Sequence, residues 1–600
     1  MRLAVRLLCL IAALVGIFAV PVFAGDGGIP WRTWQDNVFA QAKAESRFVI
    51  LDLGAVWCHW CHVMERETYA NPDVVALIAK HYLPVHADQD ANPDLAARYG
   101  DWGWPATIIL APDGSELAKR RGFIPPANMV SLLQAIVDDP TPGPSVRPET
   151  PIDAASGPLT APQRAALSTQ FSEAYDADNG GWGRGLKFID APAMELALER
   201  ARLGDARAER MARQTLDANL NLVDPVWGGV YQYSDQLDWH SPHFEKIISF
   251  QADDLRLYAL AYARFADPKY LKAAQDIRRY LRDFLTAPSG AFHVSQDADL
   301  NHEVSGHDYY AKPEDERRRL GLPKIDQHLY ARENGLAIAA LCAFHDATGD
   351  VQSLDDATRA ARWVLKNRGL AGGGFRHDAR DRAGPLLGDS VAMGAALLAL
   401  YRSTGDAAWL KQSVTALKFV DTHFRDAAGG YFTAPTAKRA AGVFAKPVRI
   451  YEENLALTRL ANLAFRYSGD ATLRAIAAQG LAFLAAPALI DSGRFLPGVL
   501  LADQELGGEP VHITVVGGRD DPAAKALFAE ALRYPASYQR VEFWDRSQGA
   551  LPNADVKYPK LARAAAFACS GGACSSPVFE AAKLAPAVDR VARVPTVREN

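Results

Sequence analysis

Phe48-Val49-Ile50-Leu51-Asp52-Leu53-Gly54-Ala55-Val56-Trp57-Cys58-His59-Trp60-Cys61-His62 decides how the N-terminal domain folds. The first six residues are short, apolar and β-branched, Gly54 to Trp57 turn the chain, and the cysteines follow at the start of a helix. Two cysteines with two residues between them can close a small disulfide ring. A cysteine on a first helical turn faces unpaired N–H groups and the positive end of the macrodipole, which stabilises its thiolate. The spacing therefore points to thiol-disulfide exchange, with Cys58 attacking and Cys61 resolving. Three other readings compete. Cys58, Cys61 and a histidine would offer three zinc ligands, but no second Cys/His pair stands at finger spacing, so no metal site is assigned. Cys58-x-x-Cys61-His62 also fits covalent c-type haem attachment, against which stand the preceding apolar strand and the want of an axial methionine. The third is a plain structural disulfide. The expected cofactor set is empty apart from the redox-active disulfide.

Further along, the pattern predicts a helix to about Tyr69 that gives way to the segment Val74–His81, and then a strand over Leu83–Asp88. A short helix over Leu95–Tyr99 precedes a strand from Ala106 to Leu110, a turn at Asp113-Gly114, a return strand over Leu117–Phe123 and a closing helix over Asn128–Val137. Asp52 lies six residues before Cys58 on an inward strand position, where a buried carboxyl of raised pKa could take a proton from the resolving thiol. The alternative is a strand-edge aspartate in water. Trp104-Pro105 before a strand is a candidate cis peptide beside the disulfide, or an ordinary trans proline.

Strand, Trp-Cys-x-x-Cys, the upstream Asp52 and the later Pro105 together resemble the thioredoxin superfamily. More narrowly, Cys58-His59-Trp60-Cys61-His62-Val63-Met64-Glu65-Arg66-Glu67 resembles the spermatogenesis-associated protein 20 family and its bacterial relatives. The likeness continues in Asn71-Pro72-Asp73, His86-Ala87-Asp88 and Gly103-Trp104-Pro105, covering the whole domain, residues 25–139. Ala55-Val56-Trp57 departs from the small polar run expected there and is closer to ordinary thioredoxin.

Ahead of this domain, Arg2 and Arg6 precede an apolar stretch from Leu7 to Val20, and Val22-Phe23-Ala24 offers small residues for cleavage. Residues 1–24 read as a secretory signal, with retention as an anchor as the alternative. Export to the periplasm or beyond is the expectation, with no membrane span after cleavage. Cys58, Cys61, Cys342, Cys569 and Cys574 then remain, and Cys342 sits in an apolar helical stretch as a buried small hydrophobe. The 600 residues predict several domains, and 49% hydrophobic composition suffices for large cores. A formal net charge of -5 with interspersed signs argues against a nucleic-acid partner.

Residues 140–163 are crowded with proline and read as a semi-extended linker. From 164 to 505, helical stretches alternate between two kinds of punctuation. One is Gly-Asp, at Gly204-Asp205, Gly349-Asp350, Gly405-Asp406 and Gly469-Asp470, with Ala266-Asp267-Pro268 as a variant. The other is a glycine-aromatic turn, at Gly180-Gly181-Trp182, Gly228-Gly229-Val230-Tyr231, Gly290-Ala291-Phe292, Gly373-Gly374-Phe375 and Gly429-Gly430-Tyr431. Repeated helix pairs must pack side by side to bury their apolar faces, and closing the row removes its exposed ends. The expected fold class is an α/β thioredoxin-like domain followed by an all-α (α/α)6 toroid and a small C-terminal α/β appendage, residues 506–600. An open solenoid is the alternative for the helical part.

The family resemblance extends to Trp239-His240-Ser241-Pro242-His243-Phe244-Glu245-Lys246, to Gln296-Asp297-Ala298-Asp299, and less closely to Asp326 and Asn334-Gly335, where Arg332-Glu333 replaces an expected tryptophan. Such toroids resemble six-hairpin glycosidases and the N-acylglucosamine 2-epimerase group, although fold does not transfer activity. Trp239, His240, His243 and Glu245 fall on one loop before a helix near Ile247, and aromatics beside titratable groups suit a sugar. Asp297 and Asp299 alternate on an extended segment, which would turn them to opposite faces. The loop could equally cap a helix. Cys569 and Cys574 flank a flexible tetrapeptide and could form a second disulfide or exchange with Cys58. The preferred function is an exported thiol-disulfide oxidoreductase acting on protein thiols or disulfides, its toroid presenting a sugar or glycosylated partner. The rival is a sugar-active enzyme or glycan-binding module with the thioredoxin-like domain as scaffold.

Overall fold

A computed structural model describes residues 28–592 except 36, 148–151, 382, 436–440 and 571–572, so the expected signal at residues 1–24 lies outside the described residues. The N-terminal domain is built from β1 (Arg32–Thr33), α1 (Val38–Glu45), β2 (Phe48–Gly54), α2 (His59–Glu67), α3 (Pro72–His81), β3 (Tyr82–Asp88), α4 (Pro93–Tyr99), β4 (Ala106–Leu110), β5 (Glu116–Arg121) and α5 (Pro126–Asp138). Its five strands run in the order β1-β3-β2-β4-β5, parallel among the first three and antiparallel for β4 and β5. The domain is thioredoxin-like. β2 is therefore a central strand, and its apolar residues from Val49 to Leu53 are buried on both faces, as its unbroken hydrophobic run requires.

The helical part pairs α6 (Ala161–Glu173), α7 (Ala191–Arg202), α8 (Ala206–Asn219), α9 (Ile248–Phe265), α10 (Pro268–Phe284), α13 (Ala331–Thr348), α14 (Val351–Arg368), α15 (Leu387–Thr404), α16 (Ala407–Phe424), α17 (Tyr451–Ser468), α18 (Ala471–Leu484) and α20 (Pro497–Gly507). Short helices α11 (Gly306–Tyr310), α12 (Glu314–Leu320) and α19 (Pro487–Ile490) decorate the connections. Each inner helix contacts the next in the cycle α7, α9, α13, α15, α17, α20 and back to α7, and α6 covers α20 from outside. The ring is closed, an (α/α)6 toroid rather than an open solenoid.

Both punctuation marks have a local cause. Gly349, Gly405 and Gly469 end inner helices in the left-handed conformation, and Asp350, Asp406 and Asp470 then cap the outer helices by accepting backbone N–H bonds. The glycine-aromatic turns close the outer-to-inner connections as small bridged loops. A polar residue four positions into the following inner helix clamps each of several turns. Gln251 holds Val230, Asn334 holds Phe292, Ser390 holds Phe375 and Asn454 holds Tyr431.

These loops ring one mouth of the toroid, which carries the short strands β6 (Tyr233–Ser234), β7 (Pro242–His243), β8 (Lys246–Ile247), β9 (Ser295–Gln296) and β10 (Ile325–Asp326). The thioredoxin-like domain is seated on this mouth. Phe444 from a toroid loop packs among Trp34, Phe39 and Tyr99, and His377 bonds the Asp90 carbonyl at 2.7 Å. The appendage comprises β11 (Val511–Val516), α21 (Pro522–Leu532), β12 (Gln539–Trp544), β13 (Ala565–Ser570), β14 (Ala573–Cys574) and α22 (Leu584–Ala592), with strand order β12-β11-β13-β14. No helix among the described residues is long and apolar enough to cross a membrane.

Candidate functional site

Cys58 is the N-cap of α2, in extended conformation, and its sulfur accepts the N–H of Cys61 at 3.1 Å. It is bonded to Cys61, with Cα atoms 5.3 Å apart. The turn ahead of the pair is pinned from the end of β3 and the turn after it: Val56 N–H donates to Asp88 at 3.0 Å and the Trp57 indole donates to Asp90 at 2.7 Å. Trp104-Pro105 is cis, and Trp104 packs with Trp57, Cys58 and Cys61. Cys58 is only 3% exposed, because Ile247 and Phe250 of the toroid close over it, whereas Trp60 is 43% exposed on the outer side of α2.

Asp52 is buried on β2 rather than at a wet strand edge. Its carboxylate takes the Tyr69 hydroxyl at 3.1 Å and His86 Nδ1 at 2.9 Å. Burial disfavours charge on His86, but the Asp52 bond together with the charges of Asp52, Asp88 and Glu65 outweighs it and raises the imidazole pKa. Asp52 thus has two partners of its own, a neighbourhood that its position in sequence did not reveal.

The two motifs that lie more than two hundred residues apart meet here. His59 Nδ1 is 2.5 Å from Asp299 Oδ2, and His62 Nε2 is 2.9 Å from Asp297 Oδ2. Each bond raises the pKa of its histidine against the opposing effect of burial. The expectation that Asp297 and Asp299 face opposite ways is corrected: β9 ends at Gln296, and the chain then turns so that Asp299 N–H bonds Asp297 Oδ1 at 3.1 Å. Both acids consequently reach α2. Glu245 joins them, accepting His59 N–H at 3.4 Å, and burial pushes its carboxyl up to about 7. Its second oxygen accepts no hydrogen bond.

The remaining candidates separate. His243 stacks on Tyr233 with centroids 4.3 Å apart and lies 3.9 Å from Glu245, and burial lowers its pKa. Trp239 is buried among Leu222 and Val230 with its indole N–H on the Asn179 carbonyl, so it is core and lines no cleft. His240 is exposed beside it. The single loop expected before Ile247 is in fact split by β7 and β8, which is why these neighbours diverge. Cys569 and Cys574 are bonded to each other at directly opposed positions of β13 and β14. Cys342 is free and buried. Asp90, His377 and Asp389 lie in no motif that marks them in the sequence, and Glu333 stands out there only as part of the pair replacing an expected tryptophan. His59 and His62, flanking the cysteines, were the available signal that acids must approach α2 from elsewhere.

Residues 24–137 match the family model described as Thioredox_DsbH, a protein of unknown function, DUF255. Spermatogenesis-associated protein 20 of Rattus norvegicus is 27% identical over 306 residues, 45% of this chain and 39% of that protein. The chain thus spans about two fifths of the length of this curated relative. The thiol:disulfide interchange protein DsbD 2 of Pseudomonas aeruginosa is 40% identical over 89 residues, 14% of this chain and 15% of that protein. Among solved structures, a D-mannose isomerase is 11% identical with a TM-score of 0.45, covering 57% of this chain and 96% of that one.

Proposed function

We propose that the chain is an exported thiol-disulfide oxidoreductase in which Cys58 attacks, Cys61 resolves and the toroid clamps the reacting helix. The observation that carries this reading is the Cys58–Cys61 bond at the N-cap of α2, with both flanking histidines held by toroid acids. In the dithiol form the Cys58 thiolate, facing the Cys61 N–H, attacks one sulfur of a substrate disulfide. A bond forms to that sulfur and the other leaves as a thiolate, which takes a proton. Cys61, deprotonated, then attacks Cys58, re-forming the internal disulfide and expelling the second thiolate. The substrate gains two electrons and two protons, which the protein dithiol loses; the reverse sequence oxidises a dithiol. In this reading Glu245, which accepts the backbone N–H next to Cys58 and whose carboxyl burial pushes up to about 7, holds the transferred proton.

Ile247 and Phe250 over Cys58 restrict approach to the Cys61 and Trp60 side, which favours a small disulfide or an extended peptide over a folded protein face. Arg2, Arg6 and the apolar stretch behind them support export, as does the Cys569–Cys574 bond, a kind that oxidising compartments preserve. A sugar or glycosylated partner for the toroid draws no aromatic platform from Trp239 and rests on the acids of the mouth alone. Reduction of insulin and of a small aromatic disulfide by the full chain tests the reading. Cys58→Ser should abolish turnover, and equal rates in wild type and variant would overturn it.

A further inference from the structure

We propose that Glu333, His377 and Asp389 form a binding site for one first-row divalent cation of the manganese or zinc class at the seam between the two large domains. Glu333 and Asp389 stand in the first turns of the adjacent inner helices α13 and α15, and His377 follows the glycine-aromatic turn that leads into α15. One ligand atom from each lies within 4.8 Å of the others. All three residues are between 1% and 4% exposed.

Two of the three are visibly short of partners. Glu333 Oε2 and Asp389 Oδ2 are buried and accept no hydrogen bond, a condition that native interiors rarely tolerate without a ligand or ion. Their other oxygens are occupied: Arg332 Nη1 donates to Glu333 Oε1 at 3.2 Å, and Arg332 N–H to Asp389 Oδ1 at 2.9 Å. A proton on His377 would give an ion pair with Asp389 Oδ1, but it would leave both orphaned oxygens as they are. A cation at the centre of the three groups serves them together.

His377 is held in the orientation a metal ligand needs. Its ring stacks on Tyr330 with centroids 4.1 Å apart and planes at 16°, and Nε2 bonds the Asp90 carbonyl at 2.7 Å. A hydrogen bond from one ring nitrogen to a backbone carbonyl is the usual support for a histidine that coordinates through the other. Nδ1 then faces Asp389 Oδ1 at 2.9 Å.

Charge points the same way. Asp90, Asp381 and Glu453 each act on one or more of the three ligands, against Arg332 and Arg368. A dication would relieve that crowding. The N-termini of α13 and α15 oppose a cation, but the same dipoles favour ionised Glu333 and Asp389. One imidazole with two carboxylates suits manganese, iron(II) or zinc better than calcium or magnesium, which prefer oxygen alone.

The test is titration of the chelator-stripped full chain with manganese(II) chloride, read by the electron-paramagnetic signal of free ion, and with zinc chloride by calorimetry. One ion per chain should bind, and Glu333→Gln and His377→Gln should each weaken binding at least tenfold while circular dichroism stays unchanged. Because His377 also bonds the thioredoxin-like domain, manganese should raise the thermal midpoint of wild type and leave that of Glu333→Gln unmoved. Absence of stoichiometric binding to wild type, or equal affinity in the folded Glu333→Gln variant, would overturn the site.

Discussion

Asp299 Oδ2 lies 2.5 Å from His59 Nδ1, so a toroid carboxylate is bonded to the residue next to the Cys58 sulfur. Redox helix and toroid are thereby one structural unit, with Asp297 repeating the contact at His62 one turn later. The first consequence concerns the cysteines. Cys61→Ser should stop the second exchange and trap substrate on Cys58 as a mixed disulfide, visible as a mass increase removed by dithiothreitol. Trapping on Cys61 in the Cys58→Ser chain instead would reverse the assigned roles.

A second prediction follows from the charges in that seam. Asp299 and Asp297 raise the pKa values of His59 and His62 in the docked state. Their contribution is complete below the ordinary histidine value of about 6.5 and is lost as pH climbs through the raised values. Burial would raise the Asp299 carboxyl, but its bonds to His59 and Gly306 N–H and the charges of His59 and His62 together hold it below its ordinary value, so its contribution is lost only as pH falls through that lowered value. Docking should therefore be strongest from mildly acidic to neutral pH and loosen in alkali. Hydrogen exchange of α2 and residues 295–299, corrected for intrinsic rates, should rise between pH 6 and pH 9. Asp299→Asn should flatten that dependence and cost roughly 1 kcal/mol, a figure kept small because the His59 ring is partly solvated.

Much of this architecture was legible because its signals are local. A left-handed glycine before a capping aspartate is written in two adjacent letters, so Gly405-Asp406 and Gly469-Asp470 mark helix ends directly. Cys58 at a helix start is equally local. What escaped reading depends on where distant segments turn. Asp297 and Asp299 share a face only because β9 stops at Gln296, and His377 meets Asp90 across 287 positions. β13 carries little strand signal because Ala564-Ala565-Ala566-Phe567-Ala568 has no β-branched residue; its small side chains fit a strand sandwiched between β11 and β14.

Glu245 supplies a third prediction. Its buried carboxyl keeps its proton up to about pH 7, so the folded chain binds more protons than the unfolded one between the ordinary glutamate pKa and that value. Stability must fall across this interval as pH rises. Glu245→Gln, which never ionises, should be more stable than wild type at pH 8 by about 1–3 kcal/mol and little different at pH 4. It should also slow disulfide exchange severalfold, with the loss greatest near pH 7, if the carboxyl carries the proton. An exchange rate independent of the substitution at every pH would remove Glu245 from the mechanism while leaving Cys58 in place.

The clamp at the last glycine-aromatic turn offers a test of the toroid itself. Asn454 is fully buried; its Oδ1 accepts Tyr431 N–H at 2.8 Å, and its Nδ2 donates to the Tyr431 carbonyl at 2.9 Å and to the Ile450 carbonyl at 2.9 Å. Asn454→Ala leaves Tyr431 with an unpartnered donor and an underused acceptor, and each such group costs about 1–3 kcal/mol. The toroid should lose about 2–4 kcal/mol, seen as a lower thermal midpoint for its unfolding step. Asn454→Asp keeps the acceptor for Tyr431 N–H and sets a carboxylate against two carbonyls. It should destabilise at neutral pH and recover in acid, where the protonated carboxyl donates again. Wild-type stability of the Asn454→Asp chain at neutral pH would show that only the N–H bond matters, and that the turn is held from one side.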